Sequence, residues 1–264
     1  MTTRHALVTG GCSGIGLEIA RELAGRGYHL LLASNRDAEL EAAAQEIAAT
    51  YGVNAYPIKM DLARPEAARA LHEEVSRRGL EIEILVSNAG MFFFGEVADA
   101  DPARVETMMQ LHVVTPSLLA HFFGQDMRAR RSGHILFTSS ISAWRDFPGI
   151  AYYGSSKTFL RSFACALREE LSVWGVNVTC LAPGAVATNL YDRTGVPVQK
   201  AVRYGVMKDP AQIARAAVQG MFRGKAVVVP GLSAKIMVFA MAHLPQWAIR
   251  LLRRRAPFLP MPKD

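Results

Sequence analysis

Tyr153 and Lys157 stand four residues apart in Tyr-Gly-Ser-Ser-Lys, thirteen residues after Ser140. The stretch 151–174 has no internal proline and repeats apolar residues at helical spacing, which predicts a helix with the phenol and the ammonium on one face, a turn apart. Those side chains suit interconversion of a carbonyl and an alcohol, where a hydride moves at carbon and a proton must reach or leave oxygen. A tyrosine can exchange that proton. Its hydroxyl ordinarily titrates near about 10, so work at neutral pH asks for on the order of 3 to 4 kcal/mol of support for the phenolate. Lys157 can supply part of it, and a strand-end serine such as Ser140 can polarise the substrate oxygen. Spacing sets aside the neighbours: Tyr152 points roughly 100 degrees away from Lys157 around a helix, and Ser139, Ser155 and Ser156 lie off the pattern.

Such residues need a rigid frame and a seat for a hydride carrier. Short apolar runs at 6–9, 30–33, 55–60, 82–86, 134–138, 176–181 and 226–229 read as strands, separated by helical patterns such as 15–26, 37–51 and 65–78. The expected fold class is α/β: a single Rossmann-like doubly wound domain, with a seven-stranded parallel sheet and helices on both faces. Between the first strand and helix lies Thr9-Gly-Gly-Cys-Ser-Gly-Ile-Gly16. Gly10, Gly14 and Gly16 let the backbone approach a pyrophosphate and aim helix N–H groups at it, although a glycine cluster alone also makes an ordinary tight turn. Residues 188–209, broken by Thr194-Gly-Val-Pro197 and Gly205, are the expected substrate lid.

Composition narrows the setting. Half of the 264 residues are apolar, enough for one large core. We assign 1–231 to the cofactor-binding and catalytic domain and 232–264 to a C-terminal extension. Cys12, Cys165 and Cys180 are scattered and odd in number, which suits a reducing compartment and offers no metal-ligand spacing. The chain enters its first strand without a long apolar leader, so a cytoplasmic protein is expected. The net charge of +7 is dispersed except at Arg128, Arg130 and Arg131 and at Arg250, Arg253, Arg254 and Arg255. Solvated helix faces and an anionic dinucleotide account for it, and no nucleic-acid partner is expected.

Taken in order, the glycine turn, Asp61-Leu62, Ser87-Asn88-Ala89-Gly90, Ser140, Tyr153 with Lys157, and Pro183-Gly184 followed by Thr188 resemble the short-chain dehydrogenase/reductase family, over roughly residues 4 to 230. The resemblance implies a nicotinamide dinucleotide whose positive ring assists Lys157 in favouring the phenolate. By the same resemblance Thr9, Gly10, Ser13, Gly14, Ile15 and Gly16 would surround the pyrophosphate, and Asp61 and Leu62 the adenine end. Asn88, Ala89 and Gly90 would lie beside the cofactor, Tyr153 and Lys157 would touch it, and Pro183, Gly184, Val186 and Thr188 would hold the nicotinamide carboxamide. At the end of the second strand, Ala33-Ser34-Asn35-Arg36 has no acid and does have an arginine. That favours NADP(H), with Ser34 and Asn35 as neutral donors. Asp37, and the lack of a basic residue in the turn, keep NAD(H) open, as does Arg36 read as a plain surface residue.

One departure stands out. The family's usual asparagine before the catalytic-serine strand is matched by His112, which is either a member of the proton relay or a satisfied core histidine. The extension at 232–252 is strongly apolar, but Lys235, His243, Pro245 and Arg250 interrupt it too often for a membrane span. It reads as a wall of the substrate pocket, a subunit contact, or a segment resting on a membrane surface. Met91-Phe-Phe-Phe94 and Trp144, with the analogy to family members acting on lipid-like or steroid-like ketones, suggest a bulky apolar substrate; the same aromatics are otherwise packing. The family habit implies a homodimer or homotetramer through helices 104–130 and 151–174. The expected function is an NADP(H)-dependent oxidoreductase interconverting a ketone and a secondary alcohol. The alternative is a non-catalytic dinucleotide-binding regulator, against which the joint presence of Ser140, Tyr153 and Lys157 argues.

Overall fold

A computed structural model of the chain describes residues 4–188, 207–245 and 247–248. The apolar runs become strands β1 His5–Thr9, β2 His29–Ser34, β3 Ala55–Lys59, β4 Ile82–Ser87, β5 Gly133–Thr138, β6 Val176–Leu181 and β7 Val227–Val228. They form one sheet in the order β3-β2-β1-β4-β5-β6-β7, and every neighbouring pair is parallel. Parallel strands must be joined by crossovers, and here helices supply them: α1 Gly14–Ala24, α2 Asp37–Tyr51, α3 Ala67–Arg77, α4 Pro102–Met109, α5 Thr115–Arg130, α6 Ala151–Ser172 and α7 Pro210–Phe222, with α8 Leu232–His243 following β7.

Alternation along each strand sends side chains to two separate cores. Ala6 and Val8 of β1 pack with Ile19, Leu23, Leu40, Ile47, Ile213 and Val218 from α1, α2 and α7. Leu7, between them, faces the other way and joins Leu71, Val75, Phe123, Met127 and Leu160 from α3, α5 and α6. Strands covered on both faces need continuous apolar sequence, as Leu30-Leu31-Leu32 of β2 provides. Strand order reverses between β1 and β4, so the loops after these strands diverge and leave a crevice at their C-terminal ends. The outer strand β3 carries Pro57, which has no N–H, opposite Leu32; the other margin, β7, pairs through only Val227 and Val228.

Two elements differ from the sequence expectation. The helix expected over 104–130 is interrupted between α4 and α5 by a π-helical turn, Gln110–Val114. Pro116 explains the interruption, because it has no N–H to give the carbonyl of His112; the backbone widens, and the Thr115 N–H reaches back to the Gln110 carbonyl. The wider turn carries His112 inward, where only 1% of its surface is exposed. Most of the expected lid lies outside the described residues. Its two ends are tied together, since Ala187 N–H donates to the Lys208 carbonyl and Lys208 N–H to the Ala185 carbonyl, both at 3.0 Å. In α8 only Ala234 is buried, while Leu232, Ile236, Met237 and Phe239 are exposed. Among the described residues no helix is long and apolar enough to cross a membrane.

The floor of the sheet makes stability sensitive to acid. Burial, with the nearby His29, lowers the pKa of His5 below 6.5, and burial lowers that of His134 against a smaller opposing effect of Glu83. A histidine that resists protonation when folded stabilises the fold above its unfolded pKa of about 6.5, and this contribution drains away as pH falls below that value. We expect the melting temperature to fall between about pH 7 and pH 5.5, where carboxylates still carry their charge. His134→Asn should shrink the difference, and melting curves that coincide across this window would contradict the account.

Candidate active site

The glycine turn after β1 is shaped as a cradle. Gly10 and Gly14 have positive φ, +64° and +54°, which side-chain-bearing residues seldom adopt. A Cβ on Gly16 would lie 2.2 Å from the Gly10 carbonyl oxygen, so the helix start packs directly on the turn. Thr9 lies beneath rather than in the cradle. Its hydroxyl donates to the Val86 carbonyl at 3.2 Å and accepts the N–H groups of Asn88 and Ala89 at 2.9 and 3.1 Å, which pins the loop after β4 beside the turn. Asn88 completes the join: its amide donates to the Thr9 carbonyl at 3.2 Å and its side-chain oxygen accepts from Thr138 at 3.2 Å. Glycines that let the backbone come close, and N–H groups at the start of α1 that no side chain caps among the described residues, are what a pyrophosphate requires, so the residues fit a dinucleotide.

A cleft of about 990 Å³ runs from this cradle across the C-terminal ends of the strands. Gly10, Ser13, Gly14, Ile15, Arg36, Asn88, Ala89 and Gly90 line it together with Ser140, Tyr153, Lys157, Pro183, Gly184, Val186 and Thr188, and Thr188 packs against Gly14. Thr9, Gly16, Ser34, Asn35, Asp61 and Leu62 do not line it. Gly16 and Thr9 support the turn from below; Leu62 is buried, and its carbonyl accepts the Thr115 hydroxyl at 2.8 Å. Asp61 is exposed beyond β3 and accepts the Ala63 N–H at 3.1 Å.

The duplicated residues separate cleanly. Ser140 is extended and its oxygen accepts the Ser142 N–H at 3.1 Å, which caps a short 3-10 helix at Ile141–Trp144 and leaves the hydroxyl proton available to a substrate oxygen. Ser139 is buried and spends its proton on the Lys157 carbonyl at 2.7 Å. Tyr153 lines the cleft and Tyr152 does not. Lys157 is 4% exposed, its ammonium donates to the Thr138 carbonyl at 3.0 Å, and it lies 5.6 Å from the centre of the Tyr153 ring. Burial brings its pKa down to about 8, which keeps the charge responsive to what binds beside it.

His112 lines the same cleft with both ring nitrogens engaged: Nε2 with the Met91 N–H at 3.0 Å and Nδ1 with the Ser156 hydroxyl at 2.9 Å. At the far end the Arg36 guanidinium donates to the Ser13 hydroxyl and lies 3.6 Å from Glu39. Ser34 is turned inward, accepting from Cys12 and from the Arg36 N–H, both at 3.2 Å. Asp37 is paired with Lys59, so its charge is answered locally.

Sequence reasoning missed part of the wall. Arg104 reaches the cleft from α4, and Phe147 and Ile150 from the loop before α6; Met237 reaches it from the extension, for which a pocket wall is one reading, and Met91, Phe92 and Phe94, singled out in the sequence, line it while Phe93 does not. Ser142 also lines it, with a buried hydroxyl that has no hydrogen-bond partner among the described residues. Its place two residues after Ser140 was the available signal. Trp144, read from the sequence as a possible substrate contact, instead stacks on Arg161 at 5.0 Å and does not line the cleft.

Comparison with known proteins agrees with this arrangement. A family profile described as short chain dehydrogenase matches residues 4–196. An uncharacterized oxidoreductase, YmfI of Bacillus subtilis, is 35% identical over 191 residues, covering 72% of this chain and 78% of its own. Dehydrogenase/reductase SDR family member 7B of Bos taurus is 28% identical over 263 residues, 95% of this chain and 80% of its own. Among solved structures, a short-chain dehydrogenase from Sphingobium yanoikuyae in complex with NADPH superposes with a TM-score of 0.81 at 26% identity, covering 92% of this chain and 97% of that one. With the profile spanning well over half its length and the glycine cradle and Tyr-Lys pair lining one cleft, the chain belongs to the short-chain dehydrogenase/reductase family of oxidoreductases.

Proposed function

We propose that the protein is an NADP(H)-dependent oxidoreductase that interconverts a bulky, apolar ketone and its secondary alcohol. The observation that carries the reading is the convergence of Ser140, Tyr153 and Lys157 on the cleft that begins at the glycine cradle. A bound nicotinamide supplies or takes up the hydride. The chain's own residues do the rest: the Ser140 hydroxyl donates to the ketone oxygen and holds it, and the Tyr153 hydroxyl passes its proton to that oxygen as the alcohol forms. The Lys157 ammonium, fixed on the Thr138 carbonyl, stabilises the phenolate left behind. The apolar wall of Met91, Phe92, Phe94, Phe147, Ile150 and Met237 excludes water and supports an apolar substrate, and the exposed face of α8 continues it outward.

The preference for NADP(H) rests on Arg36 and Ser13, hydrogen-bonded to each other at the cradle's outer edge, where a 2′-phosphate would displace Glu39 as the partner of the guanidinium. The neutralised Asp37 supports the same reading. Steady-state rates with NADPH and NADH across ketones of graded size test it. NADPH should give a kcat/KM at least about tenfold higher, and Arg36→Ala should remove about 10- to 100-fold with NADPH but little with NADH. Equal losses with both cofactors, or a wild-type preference for NADH, would refute the assignment.

A further inference from the structure

We propose that His112 is a positioning residue, a two-ended tie that fixes the Tyr153 turn through Ser156 at one end and the cleft wall at residues 91–94 at the other. The donors and acceptors run in one direction. The Met91 N–H can only donate, so Nε2 of His112 accepts, at 3.0 Å. The ring proton must then sit on Nδ1, which donates to the Ser156 oxygen at 2.9 Å, and Ser156 passes its own proton to the Tyr153 carbonyl at 2.8 Å. Each group in the chain, from the Met91 amide to the Tyr153 carbonyl, has its partner.

Packing reinforces the tie. The His112 ring stands edge-to-face with Tyr153, centroids 5.8 Å apart, and Phe92 meets the same tyrosine ring edge-to-face at 4.7 Å. The backbone at residue 90 passes so close that a Cβ on Gly90 would lie 3.0 Å from Nε2. Burial, and secondarily the Lys157 charge, keep the imidazole neutral by holding its pKa well below 6.5. A proton on Nε2 would also point straight at the Met91 N–H. A side chain in this state holds geometry and does not shuttle protons. One residue thus sets both the orientation of the proton-donating tyrosine and the position of the substrate wall.

The two ends can be cut separately, because an asparagine amide reaches only the place of Nδ1 and a glutamine amide only the place of Nε2. His112→Asn keeps the Ser156 end and frees the wall, so KM for a bulky ketone should rise about tenfold with kcat within about twofold. His112→Gln keeps the Met91 end and loosens Tyr153, so kcat should fall about tenfold with KM nearly held. Independently of turnover, nitrogen NMR of the wild-type imidazole should report the neutral Nδ1–H tautomer throughout about pH 5.5 to 8. Equal kcat losses in both variants with loss of one limb of the pH–rate profile would make His112 a relay and overturn the tie, as would an imidazolium signal near neutral pH. If neither variant folds, the tautomer measurement decides. The kinetic half rests on the oxidoreductase reading: a wild-type protein that turns over no ketone would sink that reading, and the NMR result would still judge the tie.

Discussion

Tyr153→Phe is expected to lower kcat for ketone reduction by about 10²- to 10⁴-fold while leaving the Kd for NADPH within about twofold. The variant removes one oxygen and preserves the ring, so the edge contacts with Phe92 at 4.7 Å and His112 at 5.8 Å persist and the turn keeps its shape. Ser140 and Ser142 also line the cleft, but an aliphatic hydroxyl is a far weaker acid than a phenol and replaces the lost donor poorly. Ser139 is committed to the Lys157 carbonyl, Ser156 to Tyr153's own carbonyl, and Tyr152 lies off the cleft. Single-turnover absorbance of the nicotinamide, paired with a fluorescence titration of cofactor binding, separates chemistry from affinity. A mutant that reduces ketone at the wild-type rate rules out Tyr153 as proton donor, and one that loses cofactor binding in proportion makes the residue a binding group instead.

Gly16→Ala should cost about 2 to 4 kcal/mol of stability and abolish measurable NADPH binding. The added methyl would lie 2.2 Å from the Gly10 carbonyl oxygen, 2.9 Å from the Gly10 carbonyl carbon and 2.5 Å from the Asn88 amide nitrogen. Two of those atoms are backbone in a turn already at positive φ, so they have little freedom to yield. Displacing Gly10 moves the cradle, and displacing Asn88 breaks its bonds to Thr9 and Thr138. Gly95→Ala is the matched control, because nothing lies within 4 Å of its Cβ position, and it should stay within about 0.5 kcal/mol of wild type. Thermal melts with and without NADPH decide the matter: equal melting temperatures for Gly16→Ala and wild type would show that the turn is far softer than its contacts imply.

Much of this frame is legible in the sequence because parallel strands buried on both faces leave uninterrupted apolar runs, and Leu30-Leu31-Leu32 has no other ready explanation. Helical rotation was enough to choose between Tyr152 and Tyr153. What stayed hidden depended on contacts between segments distant in the chain. Pro116 was visible, but its effect, a widened turn that carries His112 into the protein, needs the neighbouring carbonyl to be located. Arg104 and Met237 belong to the cleft only because α4 and α8 pass its mouth, and no local spacing announces that. Asp37 read as an obstacle to a phosphate until Lys59, on the neighbouring strand, was seen to answer it. Thr9 sits within the glycine motif, yet its hydroxyl bridges two strand ends, a role that spacing alone cannot separate from direct contact with a ligand.

The two margins of the sheet carry a consequence for how copies of this chain can meet. On one side Pro57 withholds a donor in mid-strand; on the other, Val227–Val228 is too brief to recruit a foreign strand. Edge-to-edge growth into a continuous intermolecular sheet is therefore disfavoured at both borders, and the sheet protects itself from that route to aggregation without needing a partner to cover it.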